Sequence, residues 1–562
     1  MSGAVRILPG VAQGPVLALS EGISFWGGVD PSTARIIDAH HPAYGADMTG
    51  KIVMMPTSRG SCSGSGVILE MLLNGNGPAA LIFSEAEDVA TLGALIGGQM
   101  FGKTLPVLRF GPDSFARCRG STDLSIEQDV ITGDGFELPI SELPAPDPQL
   151  SDTDLAALNG DHGPAAAIAM RIIQRIARLQ GAERLTDISH GHIDGCILAN
   201  QANLIFAEKM DQLGARVRVP TTINAISVDR RNWQEQGVPP LFGDQASRLA
   251  DAYVRMGCKP SFTCAPYLLD DRPALAQDIA WAESNAVIYA NSVLGARTPK
   301  HPDYLDLCIA VTGRAPLAGV YTEDARRPAS VLIFDPPADA DESIWPLIGY
   351  VAGQKSPDRV PLLCGLERLN PSRDDLKALC AAFGTTSAAP MLHVAGVTPE
   401  AELPIHADAR HLHVANTDLA RAWGDLNRGE EQIDLIGIGS PHSSAAECRR
   451  LLDLLGGRET SVPIIITAGR QIIAELEEDG TLAALTNAGV QVFPDLCWCS
   501  ITEPLLPVDA RTLMTNSGKF AHYGPGLFKR ALRFGSLGDC ASAAIHGTAS
   551  LRPPAWLAPE NA

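Results

Sequence analysis

The stretch with the densest chemistry is Arg59-Gly60-Ser61-Cys62-Ser63-Gly64-Ser65-Gly66. It follows the apolar run Ile52-Val53-Met54-Met55 and precedes a helix-like apolar run from Val67 to Asn74. A strand–loop–helix start of this kind turns backbone N–H groups and small hydroxyls toward the positive end of the helix dipole, an environment that favours an oxyanion. A serine there can act as a base or nucleophile; a flexible Gly/Ser connection is the alternative. No Gly-Lys-Ser/Thr closes the run, which excludes a P-loop.

Other loops carry donors of a different kind. Ser189-His190-Gly191-His192 follows the strand-like Leu185-Thr186. Two histidines one residue apart at a strand end suit metal binding or acid–base work, whereas either alone reads as a solvated loop residue. Thr221-Thr222-Ile223-Asn224 closes a strand-like run from Val217, and Thr263-Cys264-Ala265-Pro266-Tyr267 holds a cysteine beside a rigid proline. Loops at strand C-termini are where open α/β sheets bind ligands. Polar residues also crowd Ala280–Ala286 and Tyr289–Thr298, and Lys519 in the Gly/Ser turn after Thr515-Asn516-Ser517 is a candidate carboxylate or phosphate anchor. The 12 cysteines show no Cys-x-x-Cys pattern, so most read as reduced core residues and a subset as metal ligands.

The elements that position these loops are those of a large α/β chain. Its 562 residues require several cores. A formal charge of −20 argues against nucleic acid or an anionic membrane as partner, and no apolar run is long enough to span a bilayer. With no signal-peptide pattern at the N-terminus, the expected setting is soluble and cytoplasmic. Residues 1–135 alternate short apolar runs with turns and read as a small β-rich domain carrying the serine loop. Residues 136–149, with four prolines between Phe136 and Pro148, read as an extended linker. Residues 150–562 alternate helices (Ala165–Leu179, Gln245–Met256) with short strands (Asp434–Ile438, Pro463–Thr467), the pattern of a largely parallel sheet.

The chain resembles the aconitase X family. The N-terminal part matches through Ile23–Pro31, Gly50-Lys51-Ile52 and Arg59–Gly66. The rest matches through His192-Ile193, Thr221–Asn224, Thr263-Cys264, Ala290–Thr298, Gly396–Ala401 and Thr515-Asn516-Ser517. The resemblance implies a swivelling β/α domain joined by the linker to a large, multi-subdomain aconitase-like α/β region. It implies a hydro-lyase with iron between two domains, acting in this fused form on cis-3-hydroxy-L-proline to give Δ1-pyrroline-2-carboxylate. Ser61 falls at the position of the general base, with Ser65 as the second candidate. Arg59, His192, Gly195, Cys196, Ile197, Asn224, Ala225 and Lys519 fall where substrate is bound. Cys264 and Cys497 fall at iron-ligating positions. The third ligand position holds Ser440 where some members carry cysteine, which points to a [2Fe–2S] cluster or a mononuclear iron rather than a three-cysteine cluster. Asp161 replaces a usual glutamate. The other readings are a dehydratase of another small hydroxy acid such as mevalonate 5-phosphate, and a non-catalytic iron-responsive binding protein of the same fold.

Overall fold

The computed structural model describes residues 3–38, 41–59 and 62–557; Gly60 and the expected base Ser61 lie outside the described residues. Two compact units are present. One comprises Met1–Thr221, Arg255–Gly257 and His301–Ala318; the other comprises Thr222–Val254, Cys258–Lys300 and Gly319–Ala562.

In the first unit eight strands close a barrel: β1 (Ala4–Leu8), β2 (Ala12–Ala18), β3 (Ile52–Met55), β4 (Ala80–Phe83), β5 (Val107–Phe110), β6 (Asp123–Ile126), β7 (Val130–Gly133) and β8 (Phe136–Glu142). Their order around the barrel is β1-β8-β7-β6-β2-β3-β4-β5. Strands β2 to β5 run parallel to one another, so each step between them needs a crossover. Helix α1 (Gly64–Asn74) makes the β3–β4 crossover and α2 (Val89–Phe101) the next. The serine loop is therefore the turn between β3 and α1. Ile52, Met54, Ile82, Leu108, Phe110 and Ile131 are among the side chains that fill the core, and closure leaves no unpaired sheet edge.

The expected linker at 136–149 is corrected over its first half. Phe136–Glu142 is strand β8, pairing antiparallel with β7 and parallel with β1. Phe136, Leu138 and Ile140 alternate inward against the barrel core while Glu137 and Pro139 face solvent. Alternation of period two outweighed the proline count. Compactness, moreover, groups the following segment up to Thr221 with the barrel rather than with the rest of the chain. Helix Pro164–Gln180 there matches its expected position, with an apolar face of Ala169, Ile172, Ile173 and Ile176.

The second unit holds two parallel sheets. One has strand order His393–Val394, Pro361–Cys364, Ser330–Phe334, Arg410–Val414; the other has Val490–Phe493, Ile464–Thr467, Leu435–Ile438, Thr512–Thr515, Ala531–Phe534. In the five-stranded sheet the chain reverses direction of build between Leu435–Ile438 and Thr512–Thr515. Loops after the two strands flanking such a reversal border a ligand-binding crevice. The first carries Ser440, and the second leads into helix Gly518–Phe528, whose first turn holds Lys519. The strand-like run from Val217 forms a strand only over Thr221–Ile223. Among the described residues no helix is long and apolar enough to cross a membrane.

Ile140→Ala should lower stability to urea by about 1–2 kcal/mol, since it removes part of a half-buried side chain, and Glu137→Ala should change it by less than about 0.5 kcal/mol. A linker at this place would make both changes equally silent.

Candidate functional site

In the second unit four loops meet around two thiols. Thr263 N donates to Ile223 O at 3.1 Å and Ile226 N to Asp495 O at 2.7 Å, so segment 223–226 lies between the loops bearing Cys264 and Cys497. Ala225, Cys264 and Cys497 are buried together with Cys499 packed against them. The fourth loop follows strand Leu435–Ile438. Its Gly439 has φ +100° and stands so close to Thr467 that a Cβ would lie 2.3 Å from the Thr467 carbonyl oxygen, so glycine is required.

His442 locks the loops together. Its backbone N donates to Cys264 Sγ at 3.3 Å. Its Nε2 lies 2.6 Å from Leu496 O, and its Nδ1 lies 3.0 Å from Thr263 Oγ1. A carbonyl only accepts, so Nε2 carries the proton and Nδ1 accepts from the threonine hydroxyl. That hydroxyl oxygen in turn accepts from Ala265 N at 3.1 Å. Burial pushes His442 down to about 4, outweighing the Leu496 hydrogen bond, so the ring is neutral.

The hydrogen bond that the Cys497 thiol donates to Cys264, together with burial, raises it to about 12, against the opposing effect of Cys499. Beside them Lys519 Nζ pairs with Glu283 Oε1 at 2.6 Å, both side chains buried. Burial works against the ammonium charge, but Glu283 and then the three cysteines hold it well above the usual lysine range. Glu283 is itself oriented by Ala286 N at 2.9 Å and by Asn285, whose Nδ2 also donates to Cys264 O at 3.0 Å. Ser440 is buried, its carbonyl accepts from Ser517, and its Oγ has no hydrogen-bond partner among the described residues. Asn224 is buried, with Oδ1 2.7 Å from Ala225 N.

The first unit holds the remaining expected residues. Ser65 is fully buried and its hydroxyl faces Cys62 O at 3.3 Å and Asp303 O at 3.2 Å. Two carbonyl oxygens oppose an alkoxide, so Ser65 is a strut that leaves Ser61 as the base candidate. Arg59 is half exposed and already met by Glu21 at 3.3 Å and Asp38 at 3.9 Å. His192, on strand Gly191–Ile193, is pushed down to about 3 by burial and then by His190. Its ring is therefore neutral. Gly195 and Cys196 are buried and Ile197 half-buried; Cys196 Sγ donates to Ile193 O at 3.2 Å. Nearby Asp194 N donates to Asp306 Oδ2 at 2.7 Å. Burial first, then the mutual charge, raises Asp303 to about 7; burial raises Asp306 to about 7. Asp161 is exposed.

Sequence reasoning did not single out His442, Glu283, Asn285 or Asp303. His442 stands two residues after the ligand position Ser440, in the same short motif, but had no role of its own; a polar stretch around Ala280–Ala286 was the only signal for Glu283 and Asn285.

The family profiles for the aconitase X swivel domain, first domain, second domain and third domain match residues 3–132, 147–324, 329–424 and 433–546 respectively. The chain is 46% identical over 565 residues, 98% of its length and 97% of that protein's, to cis-3-hydroxy-L-proline dehydratase of Pseudomonas aeruginosa. It is 45% identical over 571 residues, 98% of this chain and 96% of the relative, to the protein of that name from Hypocrea jecorina. Against the phosphomevalonate dehydratase large subunit of Methanocaldococcus jannaschii it is 28% identical over 388 residues, 68% of this chain and 96% of the relative. The crystal structure of Thermococcus kodakaraensis aconitase X in its holo-form superimposes with a TM-score of 0.65 at 27% identity, over 70% of this chain and 100% of that one.

Glu283→Gln strands the buried ammonium and should destabilise by about 3–5 kcal/mol, most of it recovered in the double variant with Lys519→Met, as measured by chemical denaturation. His192 and His301, both lowered to about 3 by burial, stay neutral while the unfolded chain protonates near 6.5. Their contribution is complete above about pH 6.5 and is lost as pH falls toward 3; Asp303 and Asp306 act oppositely, favouring the fold below about pH 4 and weakening it as pH rises through 7. Histidine carbon NMR should show neither ring titrating between about pH 8 and pH 5.

Proposed function

The chain belongs to the aconitase X family, and from that premise we propose that it is a hydro-lyase converting cis-3-hydroxy-L-proline to Δ1-pyrroline-2-carboxylate. The observation that carries the substrate is the likeness, over 98% of the chain, to a cis-3-hydroxy-L-proline dehydratase. Removing the α-proton and the C3 hydroxyl gives an enamine, which tautomerises to the cyclic imine; one water leaves and nothing is oxidised.

The donors fit iron. Cys264 and Cys497 offer two soft sulfurs within hydrogen-bonding reach of each other, and the Ser440 hydroxyl is buried unpaired beside their loops, a state costing about 1–3 kcal/mol that a metal would relieve. Among the described residues no three His, Cys, Asp or Glu side chains form a group that could hold a metal ion. We take the bound form as a [2Fe–2S] cluster, with mononuclear iron as the alternative. When bound, iron supplies Lewis acidity toward the leaving hydroxyl.

The protein's own groups do the rest. Ser61 takes the α-proton, and the N–H groups at the start of α1 favour its alkoxide. Lys519, committed to Glu283, balances thiolate charge. Gly195, Cys196, Ile197, Asn224 and Ala225 contact the substrate, and His192 orients it as a neutral hydrogen-bonding ring. His442 holds the Cys264 and Cys497 loops at fixed spacing.

Purified, iron-replete protein should form pyrroline-2-carboxylate from cis-3-hydroxy-L-proline and leave mevalonate 5-phosphate unchanged; the reverse result would transfer the assignment to the phosphorylated acid. Ser61→Ala should lower kcat by roughly 10²–10⁴-fold at unchanged iron content. Ser440→Ala and Cys264→Ala should each reduce iron per chain, and the iron-to-sulfide ratio with an EPR spectrum separates cluster from single ion.

A further inference from the structure

Asp303 touches the serine loop at three points. Its backbone N–H donates to Cys62 O at 3.4 Å, its carbonyl faces the Ser65 hydroxyl at 3.2 Å, and its carboxyl group is hydrogen-bonded by Ser63. Cys62 directly follows Ser61, and Ser63 is the cap residue of α1. One residue, distant in sequence, thus grips the loop on both backbone and side chain.

The environment of this residue is not one that packing alone selects. The Asp303 carboxyl is only 2% exposed, and Oδ1 has no hydrogen-bond partner among the described residues. Its polar neighbours include two further acids, Asp194 through a hydrogen bond and Asp306 through its charge. Raised to about 7, Asp303 can share one proton with Asp194. Tyr304 follows at φ +81°, a left-handed conformation that a tyrosine holds only under constraint, and its buried hydroxyl also lacks a hydrogen-bond partner among the described residues. That hydroxyl lies against the first turn of α1, where a Cβ on Gly66 would stand 2.9 Å from it. Unpaired buried polar groups cost about 1–3 kcal/mol each, and backbone strain adds to that. Such costs collect where geometry is held for function.

We propose that Asp303 is the positioning residue of the serine loop, holding Cys62, Ser63 and Ser65, the residues that follow the proposed base Ser61 in the chain. The role rests on the proposed dehydration. Asp194 connects the same carboxyl to the Gly195–Ile197 turn, so loop and turn share one buried acid. The backbone contacts survive Asp303→Asn, and the amide oxygen can still accept from Ser63, but the amide cannot share a proton with Asp194 and its NH2 adds a donor to the pocket.

The test compares wild type, Asp303→Asn and Ser63→Ala in the full iron-loaded protein. In both variants hydrogen exchange of a peptide covering residues 59–66 should rise by roughly tenfold, with exchange in strands β3 and Leu435–Ile438 unchanged. In Asp303→Asn kcat should fall by roughly 10–100-fold with KM within about threefold and iron content unchanged. Loop exchange and kcat both within about twofold of wild type would overturn the proposal. So would a fall in kcat that is matched by loss of iron or by a proportionate rise in KM, and so would loosened loop exchange at full kcat. Should Asp303→Asn raise exchange everywhere through misfolding, Ser63→Ala decides: it must loosen residues 59–66 alone, and unchanged exchange there overturns the role. Should wild type not turn over the hydroxyproline, the exchange comparison still reads Asp303, and the substrate assignment alone falls.

Discussion

The neutral ring of His442 joins loops that stand 179 and 54 residues away in sequence, and the spacing of the thiol loops rests on that ring. In the neutral ring one nitrogen donates to Leu496 and the other accepts from Thr263; protonation would make both nitrogens donors and reverse the second contact. Burial enforces the neutral state. The backbone N–H of the same residue touches Cys264, so the ring that sets the loop spacing also ties the Ser440 segment to the first sulfur. Glycine at 439 lets the chain turn against Thr467 on its way there.

Charge is arranged differently in the two units. Around Cys264 and Cys497 a buried ammonium and a carboxylate neutralise each other, and the ammonium also faces the three cysteines. The ammonium works to lower the Cys497 thiol, but the hydrogen bond with Cys264 and burial outweigh it. Beside the serine loop the buried charges are of one sign only: Asp303 and Asp306, with Asp194 at their edge. Carboxyl groups crowded in this way hold protons at a pH where isolated acids have lost them. The carboxyl groups there keep a proton near a serine.

Several parts of this were readable in advance. Strand β3, helix α1 and the loop between them follow from an apolar run, a Gly/Ser break and a second apolar run. The short β-branched runs ending at Ile438 and Thr467 are parallel strands in the expected places. Ser440 was visible as a departure at a ligand position, though not that its hydroxyl is buried unpaired. The segment from Phe136 was misread because proline count was weighed above alternation, and only pairing with β1 and β7 revealed the closing strand of a barrel. His192 was legible as a histidine near the site, but its charge state was not, since a pKa depends on what surrounds the ring.

By itself the sequence determined the family, the α/β alternation, the serine loop and the two cysteines, because those features are written in short stretches of neighbouring residues. Tertiary structure alone decided that Ser65 is a strut, that Lys519 is engaged by Glu283, that His442 spans the cysteine loops and that Asp303 grips the serine loop. Each of these is a hydrogen bond or ion pair between residues far apart in the chain. Their strength comes from burial, and burial is a property of the folded whole.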